Sequence, residues 1–214
     1  VNIGKGANSV AGNTVLGENA LDASVTGANN TAIGKDTLTL LTSGGNNTAI
    51  GSEALEDNTT GSFNVAIGRQ ALKDNTTASN NIGIGRAALG LNTTGTQNVA
   101  VGALALDANT TANNNTAVGY NSLTANTTGT QNVAVGANAL DANTTADNNT
   151  AVGFQSLTSV TTADGNSALG AKSLENNTTG SSNTAVGGDS LRNNTTAANN
   201  TAVGQSALKA NTTG

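Results

Sequence analysis

The sequence contains no cysteine, histidine, tryptophan or methionine, and only two phenylalanines and one tyrosine among 214 residues. Without cysteine, the chain can form neither a disulfide framework nor a thiolate metal site. Without histidine, it lacks the side chain that most often serves as a general base or metal ligand near neutral pH. These absences disfavour the common enzyme and metalloprotein classes, and we predict a chain without catalysis, cofactor or bound metal.

Charged residues are also scarce. They make up 10% of the chain, and the net charge is −5. This mildly acidic balance offers no basic surface for nucleic acid or for an anionic membrane. No apolar run approaches the roughly 20 residues that span a bilayer. We therefore predict no nucleic-acid partner and no membrane insertion. An initiator methionine and a signal peptide are both lacking, so we expect a processed product or part of a longer protein.

Bulky apolar residues are few as well. Leu, Ile, Val and Phe form only about a fifth of the chain, a level that also occurs in disordered proteins. These residues nevertheless recur in strict phase with a 17-residue period, which is typical of stacked repeats. A marker glycine recurs twelve times without insertion or deletion, at Gly17, Gly34, Gly51, Gly68, Gly85, Gly102, Gly119, Gly136, Gly153, Gly170, Gly187 and Gly204.

Other positions of the repeat are equally constant. The residue before each marker glycine is aliphatic, the residue four later is Leu, and the residue four earlier is Asn. We predict that these rows form structural ladders from rung to rung. In the central repeats they comprise Asn98, Asn115, Asn132 and Asn149; Val101, Val118, Val135 and Val152; Gly102, Gly119, Gly136 and Gly153; and Leu106, Leu123, Leu140 and Leu157.

The residue types predict an all-β fold. Asn, Thr and Gly dominate each repeat and are poor helix formers, whereas a repeat of this length suits short strands joined by tight corners. Gly and Asn tolerate the left-handed angles that such corners need. We predict a parallel β-solenoid of twelve rungs over residues 13–214. Residues 1–12 are predicted to be an irregular N-terminal cap or the boundary of a fragment.

Alternation within the strand predicts its two faces. Val133 and Val135 share one side, while Asn132, Ala134 and Gly136 share the other. We expect the aliphatic row and the Leu row to form the core, with the Ala and Asn rows facing a neighbour or water. Stacked asparagines can form side-chain amide ladders, which we expect for at least one of the two Asn rows. So small a core predicts burial of further surface in a homo-oligomer.

The strand motif, as in Asn30–Gly34 (NTAIG) and Asn166–Gly170 (NSALG), resembles the repeats of YadA-like trimeric autotransporter adhesin heads. The fuller unit Ala54–Gly61 (ALEDNTTG) is similar to repeats of phage tail-fibre proteins. The resemblance implies a left-handed, trimeric β-roll that serves as a fibre shaft or adhesin head. The 17-residue period is longer than the typical adhesin-head repeat, and the sequence shows no coiled-coil stalk, membrane anchor or fibre tip.

Several chemical signals have a simpler structural interpretation. The carboxylates of Glu56 and Asp57 have no evident catalytic partner, and charges at such positions limit aggregation. Gly44-Gly45 and Gly187-Gly188-Asp189 approach the calcium-binding β-roll motif but do not recur. The Asn-Thr-Thr and Asn-Asn-Thr segments match the N-glycosylation pattern, yet corner and ladder roles fit their regularity better.

We therefore expect an extracellular, cell-surface or virion-associated fibre module, with a trimer as the favoured homo-oligomer and a host surface or glycan as a possible ligand. The regular threonines keep an ice- or surface-binding solenoid open as an alternative, although Thr144 and Thr145 are adjacent and would point to opposite sides. A self-assembling filament, stacked through its end rungs, is a further alternative. The aromatic residues Phe63, Tyr120 and Phe154 are either local plugs or part of a carbohydrate contact.

Overall fold

The computed structural model of the chain describes residues 2–6 and 8–212. Val1 and Ala7 lie outside the described residues, as do Thr213 and Gly214. The predicted cap of residues 1–12 is therefore described in part, and the last repeat is described without its final two residues.

One short strand in each repeat builds the fold. Each strand from Thr31–Ile33 onward ends just before a marker glycine, whose positive φ, 136° at Gly136, takes the chain out of the strand region. The structure confirms the predicted all-β parallel solenoid, with one rung for each 17-residue repeat. The strands are β1 Asn2–Gly4, β2 Thr14–Gly17, β3 Thr31–Ile33, β4 Thr48–Ile50, β5 Val65–Ile67, β6 Ile82–Ile84, β7 Val99–Val101, β8 Thr116–Val118, β9 Val133–Val135, β10 Thr150–Val152, β11 Ser167–Leu169, β12 Thr184–Val186 and β13 Thr201–Val203.

The chain divides into two compact units, of which the first, Val1–Thr111, contains β1 to β7. Strands β2 to β7 pair in parallel and in chain order, and each residue lies opposite its counterpart in the next repeat, as Ala32 does with Ala49. Strand β1 instead runs antiparallel to β2, with Gly4 opposite Val15. The N-terminal segment therefore covers the free edge of the first regular rung.

The second unit, Ala112–Gly214, contains β8 to β13. All of its strand pairs are parallel with the same shift of one repeat, as in the pairing of Ala134 with Ala151 and of Val135 with Val152. Backbone bonds also join the rungs outside the strands. Leu140 N–H donates to Ser156 O at 3.1 Å, and Thr144 N–H donates to Thr161 O at 3.2 Å. Each rung is thus tied to the next at several points of its circuit.

The interior of each unit consists of Leu, small residues and Asn. The Leu row is fully buried from Leu21 to Leu191, and the central strand residue, usually Ala, is buried as well. The prediction that the aliphatic row before each marker glycine joins the core is wrong. Val101, Val118, Val135 and Val152 are only half-buried on the outer face. The sequence correctly predicted which residues share a face of the strand. The face predicted to point into the core points outward, and the other face points into the core.

The interior leaves little room for a side chain at the centre of the strand. At Gly83, which replaces Ala in β6, an added Cβ would lie 3.2 Å from Leu72 Cγ and 2.9 Å from Ala88 O. The Leu side chain already fills most of the space in front of the strand, so this position is Ala or Gly from β3 to β13. Only β2, in the first regular rung, has a larger residue there, Val15. Side chains alternate across a strand, and the larger Ile and Val residues on either side must therefore point outward.

Candidate functional site

The Asn residue at the start of each rung lies in the core and bonds to its neighbours in both directions. Asn132 N–H donates to Asn115 Oδ1 at 2.9 Å, and Asn149 N–H donates to Asn132 Oδ1 at 2.9 Å. The side-chain Nδ2 of Asn132 donates to Ala146 O at 2.8 Å. This row therefore links successive rungs by bonds between a side chain and the backbone as well as by strand pairing.

The Asn of the Asn-Thr-Thr segment forms a second buried ladder. Nδ2 of Asn143 donates to Asn126 Oδ1 at 2.9 Å and to Ala146 O at 3.2 Å. The two Asn rows thus converge on the same buried carbonyl. The expected side-chain amide ladder is present in this second row, where the buried amide has a structural role. The first row is linked in its central repeats by bonds from backbone N–H to side-chain Oδ1 instead.

The marker glycines bring consecutive rungs unusually close together. A Cβ added to Gly136 would lie 2.5 Å from Gly153 O, and one added to Gly119 would lie 2.6 Å from Gly136 O. Both glycines have φ 136°, a region that side chains rarely adopt. Glycine is therefore required at this position by backbone angle and by space together.

The sixteen predicted ladder residues lie in three different environments. The Asn and Leu residues are buried, the glycines form the close approach, and the valines face outward. The first unit contains Asn98, Val101, Gly102 and Leu106, and the second contains the other twelve. The Asn, Leu and Gly residues belong to the scaffold of the rungs, and the valines belong to an exposed surface. They do not converge on a reactive centre.

The outward side chains of the strands form the most regular exposed surface, which we call the outward strand face. It consists of the first and third residues of each strand, such as Val133 and Val135 in β9. The third residue is aliphatic in every strand from β3 to β13, and its exposure reaches 69% at Val203. Each unit therefore exposes a row of aliphatic side chains at the rung spacing of about 4.8 Å. Sequence reasoning missed this face because it ranked the rows by hydrophobicity alone.

The two adjacent threonines of each Asn-Thr-Thr segment differ in their contacts. The hydroxyl of Thr144 donates to Thr161 O at 3.2 Å, and that of Thr127 donates to Thr144 O at 3.1 Å. The hydroxyls of this row thus stabilise the corner. The next residue, as in Thr128 and Thr145, is exposed to solvent. A single exposed threonine per rung is available at this corner.

The three aromatic side chains are all exposed, at 60% for Phe63, 54% for Tyr120 and 49% for Phe154, so none of them plugs the interior. Tyr120 and Phe154 follow marker glycines of the second unit, two rungs apart, with Ala137 at the same position between them. Phe63 lies at a corner of the first unit.

Charged side chains lie on the corners and pair between rungs. Glu56 forms an ion pair with Lys73 Nζ at 3.5 Å, so the Glu56–Asp57 pair belongs to a surface network. In the second unit, Arg192 contacts Glu175 and lies 3.3 Å from Asp189, which also pairs with Lys209 at 3.2 Å. Such partly exposed pairs contribute little to stability.

Burial affects two corner carboxyls. It raises the pKa of Asp141, against the effect of a backbone hydrogen bond from Ala142. Burial also raises the pKa of Asp107, while nearby Arg86 lowers it and Asp74 raises it further. Neither carboxyl has the nucleophile or base partner that a catalytic role would need.

Among the described residues, no three His, Cys, Asp or Glu side chains are grouped so that they could hold a metal ion. The same part of the chain has no helix long and apolar enough to cross a bilayer. Comparisons of the chain with protein-family models, with curated protein sequences and with solved structures find no match.

Proposed function

We propose that the chain is a structural and adhesive fibre module that assembles as a homo-oligomer, with a trimer as the favoured state. Its place would be extracellular, at a cell surface or on a virion. The proposal assigns no catalytic step to the chain. The outward strand face is the observation that carries it, because the third residue of its strands is aliphatic in every regular rung without being buried.

The interior of each unit supports the role of a stiff spacer. Parallel strands, corner bonds such as Leu157 N–H to Ser173 O at 3.0 Å, and buried Asn ladders connect each rung with the next. Bending such a stack would stretch several of these bonds at once. A regular solenoid also places its variable corner side chains at fixed intervals, which suits a fibre that contacts a host surface.

The outward strand face supports assembly with further copies of the same chain. Contiguous apolar surface on a soluble protein generally marks an interaction site. A second copy has the same rung spacing, so its aliphatic rows can pack between those of the first along the whole length of a unit. The first and third residues of the face, such as Ile82 and Ile84 in β6, provide the side chains for this contact.

The two alternative functions have less structural support. Ice or surface binding through threonine would use the exposed second threonine of the Asn-Thr-Thr segments or the first strand residue, which is Thr in some strands and Val or Ile in others. The hydroxyls of the other corner row already donate to backbone carbonyls. End-to-end stacking into a filament would have to use the outer edge of the three-residue strand β1, because β1 covers the edge of the first regular rung.

The proposal is tested by the solution mass of the protein. Light scattering should give a stable mass near three times the 20.7 kDa of one chain. Val135→Glu combined with Val152→Glu places two charges on the outward strand face and should reduce the mass to that of a monomer, because buried unpaired charges are costly at an interface.

Thr128→Glu combined with Thr145→Glu is the matched control, since it adds the same charges to the exposed threonine corner of the same unit. The control should keep the wild-type mass. Circular dichroism of both variants should match the wild type. A monomeric wild type would overturn the oligomer, and very large, polydisperse particles would favour the filament instead.

A further inference from the structure

One rung of the first unit lacks two of the side chains that its neighbours project from the corner after the marker glycine. Gly90 lies at the position that Lys73 occupies on the preceding rung and Asp107 on the following one. On the same rung, Ala87 takes the place of Gln70. The result is an open depression of about 260 Å³, which we call the Gly90 notch.

The floor of the notch is held in place by bonds to both neighbouring rungs. Ala87 N–H donates to Arg69 O at 2.9 Å, and Leu91 N–H donates to Asp107 O at 3.1 Å. Gly90 O accepts from Asp74 N–H at 3.0 Å. These backbone groups are therefore already engaged, so a ligand in the notch would be recognised by the surrounding side chains and by the apolar floor.

The walls of the notch carry acceptors and a donor. Asp107 leans over the floor, because a Cβ added to Gly90 would lie 2.7 Å from its Oδ1. On the opposite side, Lys73 Nζ lies 3.7 Å from Asp74 Oδ1. Leu91, which is 47% exposed, adds an apolar surface at the rim. The notch thus combines two carboxylates, one ammonium group and an apolar surface.

This combination of groups narrows the class of ligand. A cationic ligand would meet Lys73, and an anionic one would meet Asp74 and Asp107. A neutral polyol suits both, since each hydroxyl can donate to a carboxylate and accept from an ammonium group. The volume lies just below the range of drug-sized pockets, about 300–1,000 Å³, and so suits one ring.

We propose that the Gly90 notch binds a single neutral sugar ring, with its apolar face on Ala87 and Leu91 and its hydroxyls on Asp107, Asp74 and Lys73. The inference rests on the proposed adhesive function, because it names the class of surface ligand that the fibre would hold. A terminal hexose of a surface glycan has the required chemistry. Carboxylate acceptors beside a small apolar surface provide orientation and contact area together.

Calorimetric titration with the methyl glycosides of glucose, galactose and mannose tests the inference. At least one of them should bind the full chain. Gly90→Thr restores a side chain that the same position carries at Thr124 and Thr158, so the rung should tolerate it. The added side chain fills the notch and should weaken binding at least about tenfold.

Two further variants separate the chemistry from the shape. Asp107→Asn keeps the size of the side chain but removes its charge, and it should weaken binding about tenfold because a charge-assisted hydrogen bond is lost. Asp141→Asn is the matched control, at the same repeat position in the second unit, where no glycine opens the corner. It should leave binding unchanged.

Several outcomes would overturn the inference: no binding of any of the three glycosides, unchanged binding by Gly90→Thr, or preferred binding of lysine methyl ester. Light scattering on the same samples distinguishes a failure of the proposed homo-oligomer from a failure of sugar binding in the Gly90 notch. An intact oligomer that binds no sugar contradicts the notch alone. A monomer that binds sugar, with affinity lost in Gly90→Thr, supports the notch and contradicts the oligomer.

Discussion

From the second regular rung onward, the marker glycine and the row Leu of each rung both have positive φ, for different reasons. Leu140 has φ 52°, which costs a residue with a side chain about 1–2 kcal/mol. Its complete burial contributes about 1.5–3 kcal/mol, so the side chain offsets the cost of its own backbone angle. Gly136 has no such compensation available, because any Cβ would overlap the next rung. In the Leu row, the gain from side-chain burial thus offsets the cost of the positive φ. In the glycine row, no residue with a Cβ fits.

Gly136→Ala should strongly destabilise the protein. The backbone angle alone costs about 1–3 kcal/mol, and overlap with Gly153 O, 2.5 Å from the new Cβ, adds to it. Urea denaturation followed by circular dichroism measures the loss. Gly188→Ala is the control in the same unit, since the nearest atom to its new Cβ is Ala171 O at 3.8 Å. Equal midpoints for the two variants would contradict the steric requirement.

At the scale of the strand, the sequence predicted much of the architecture. The 17-residue period predicted the rung and the register, since each residue repeats at one position of the stack, as Ala134 does with Ala151. Which side of the strand faces inward was not predictable by ranking hydrophobicity. That choice depends on how much space the Leu side chain leaves inside the rung, as the contacts around Gly83 show.

The Gly90 notch was also missed, although the sequence contains its signal. Gly90 is the only glycine at its repeat position, and Ala87 is small on the same rung. Recognising the notch requires knowing that these two positions lie side by side on the corner. The carboxylate of Asp107 completes the notch from the following rung, through a side-chain conformation that no sequence period determines.

The second Asn ladder is interrupted at Val160. In the second unit, Asn194 donates to Asn177 Oδ1 at 3.0 Å, and Asn143 donates to Asn126 Oδ1 in the same way. Val160 offers no such donor, so Asn143 Oδ1 is buried without a hydrogen-bond partner. A buried unsatisfied acceptor costs about 1–3 kcal/mol.

Val160→Asn should therefore be much less destabilising than the loss of a buried Val alone, because the new amide can donate to Asn143 Oδ1 and accept from Asn177, which offsets the lost burial. The urea midpoint measures the net change. Leu41→Asn is the control at the same repeat position of the first unit, where Ser24 precedes it and offers no amide oxygen. That variant should lose stability through lost Leu burial. Destabilisation of both variants to a similar extent would contradict a role for the ladder.

At the scale of the whole molecule, the outward strand face occurs in both units, and each unit would bring it to an oligomer. The first unit carries the bulkiest stretch, with Ile82 and Ile84 in β6, and the second has Val133 and Val135 in β9. Association through such a face links stability to protein concentration, because a partner that binds only the folded chain shifts the unfolding equilibrium.

The thermal midpoint of the wild type should therefore rise with protein concentration. Val135→Glu combined with Val152→Glu should abolish this dependence and lower the midpoint to a constant value, because the half-buried valines can then no longer pack against another copy. Calorimetry over a hundredfold dilution series, about two decades, makes the measurement. Thr128→Glu combined with Thr145→Glu should retain the wild-type slope. The contrary result is a wild-type midpoint that does not change with concentration while the oligomer mass stays the same at every dilution. Unfolding would then not be coupled to dissociation. The outward strand face would not be the contact that holds the copies together.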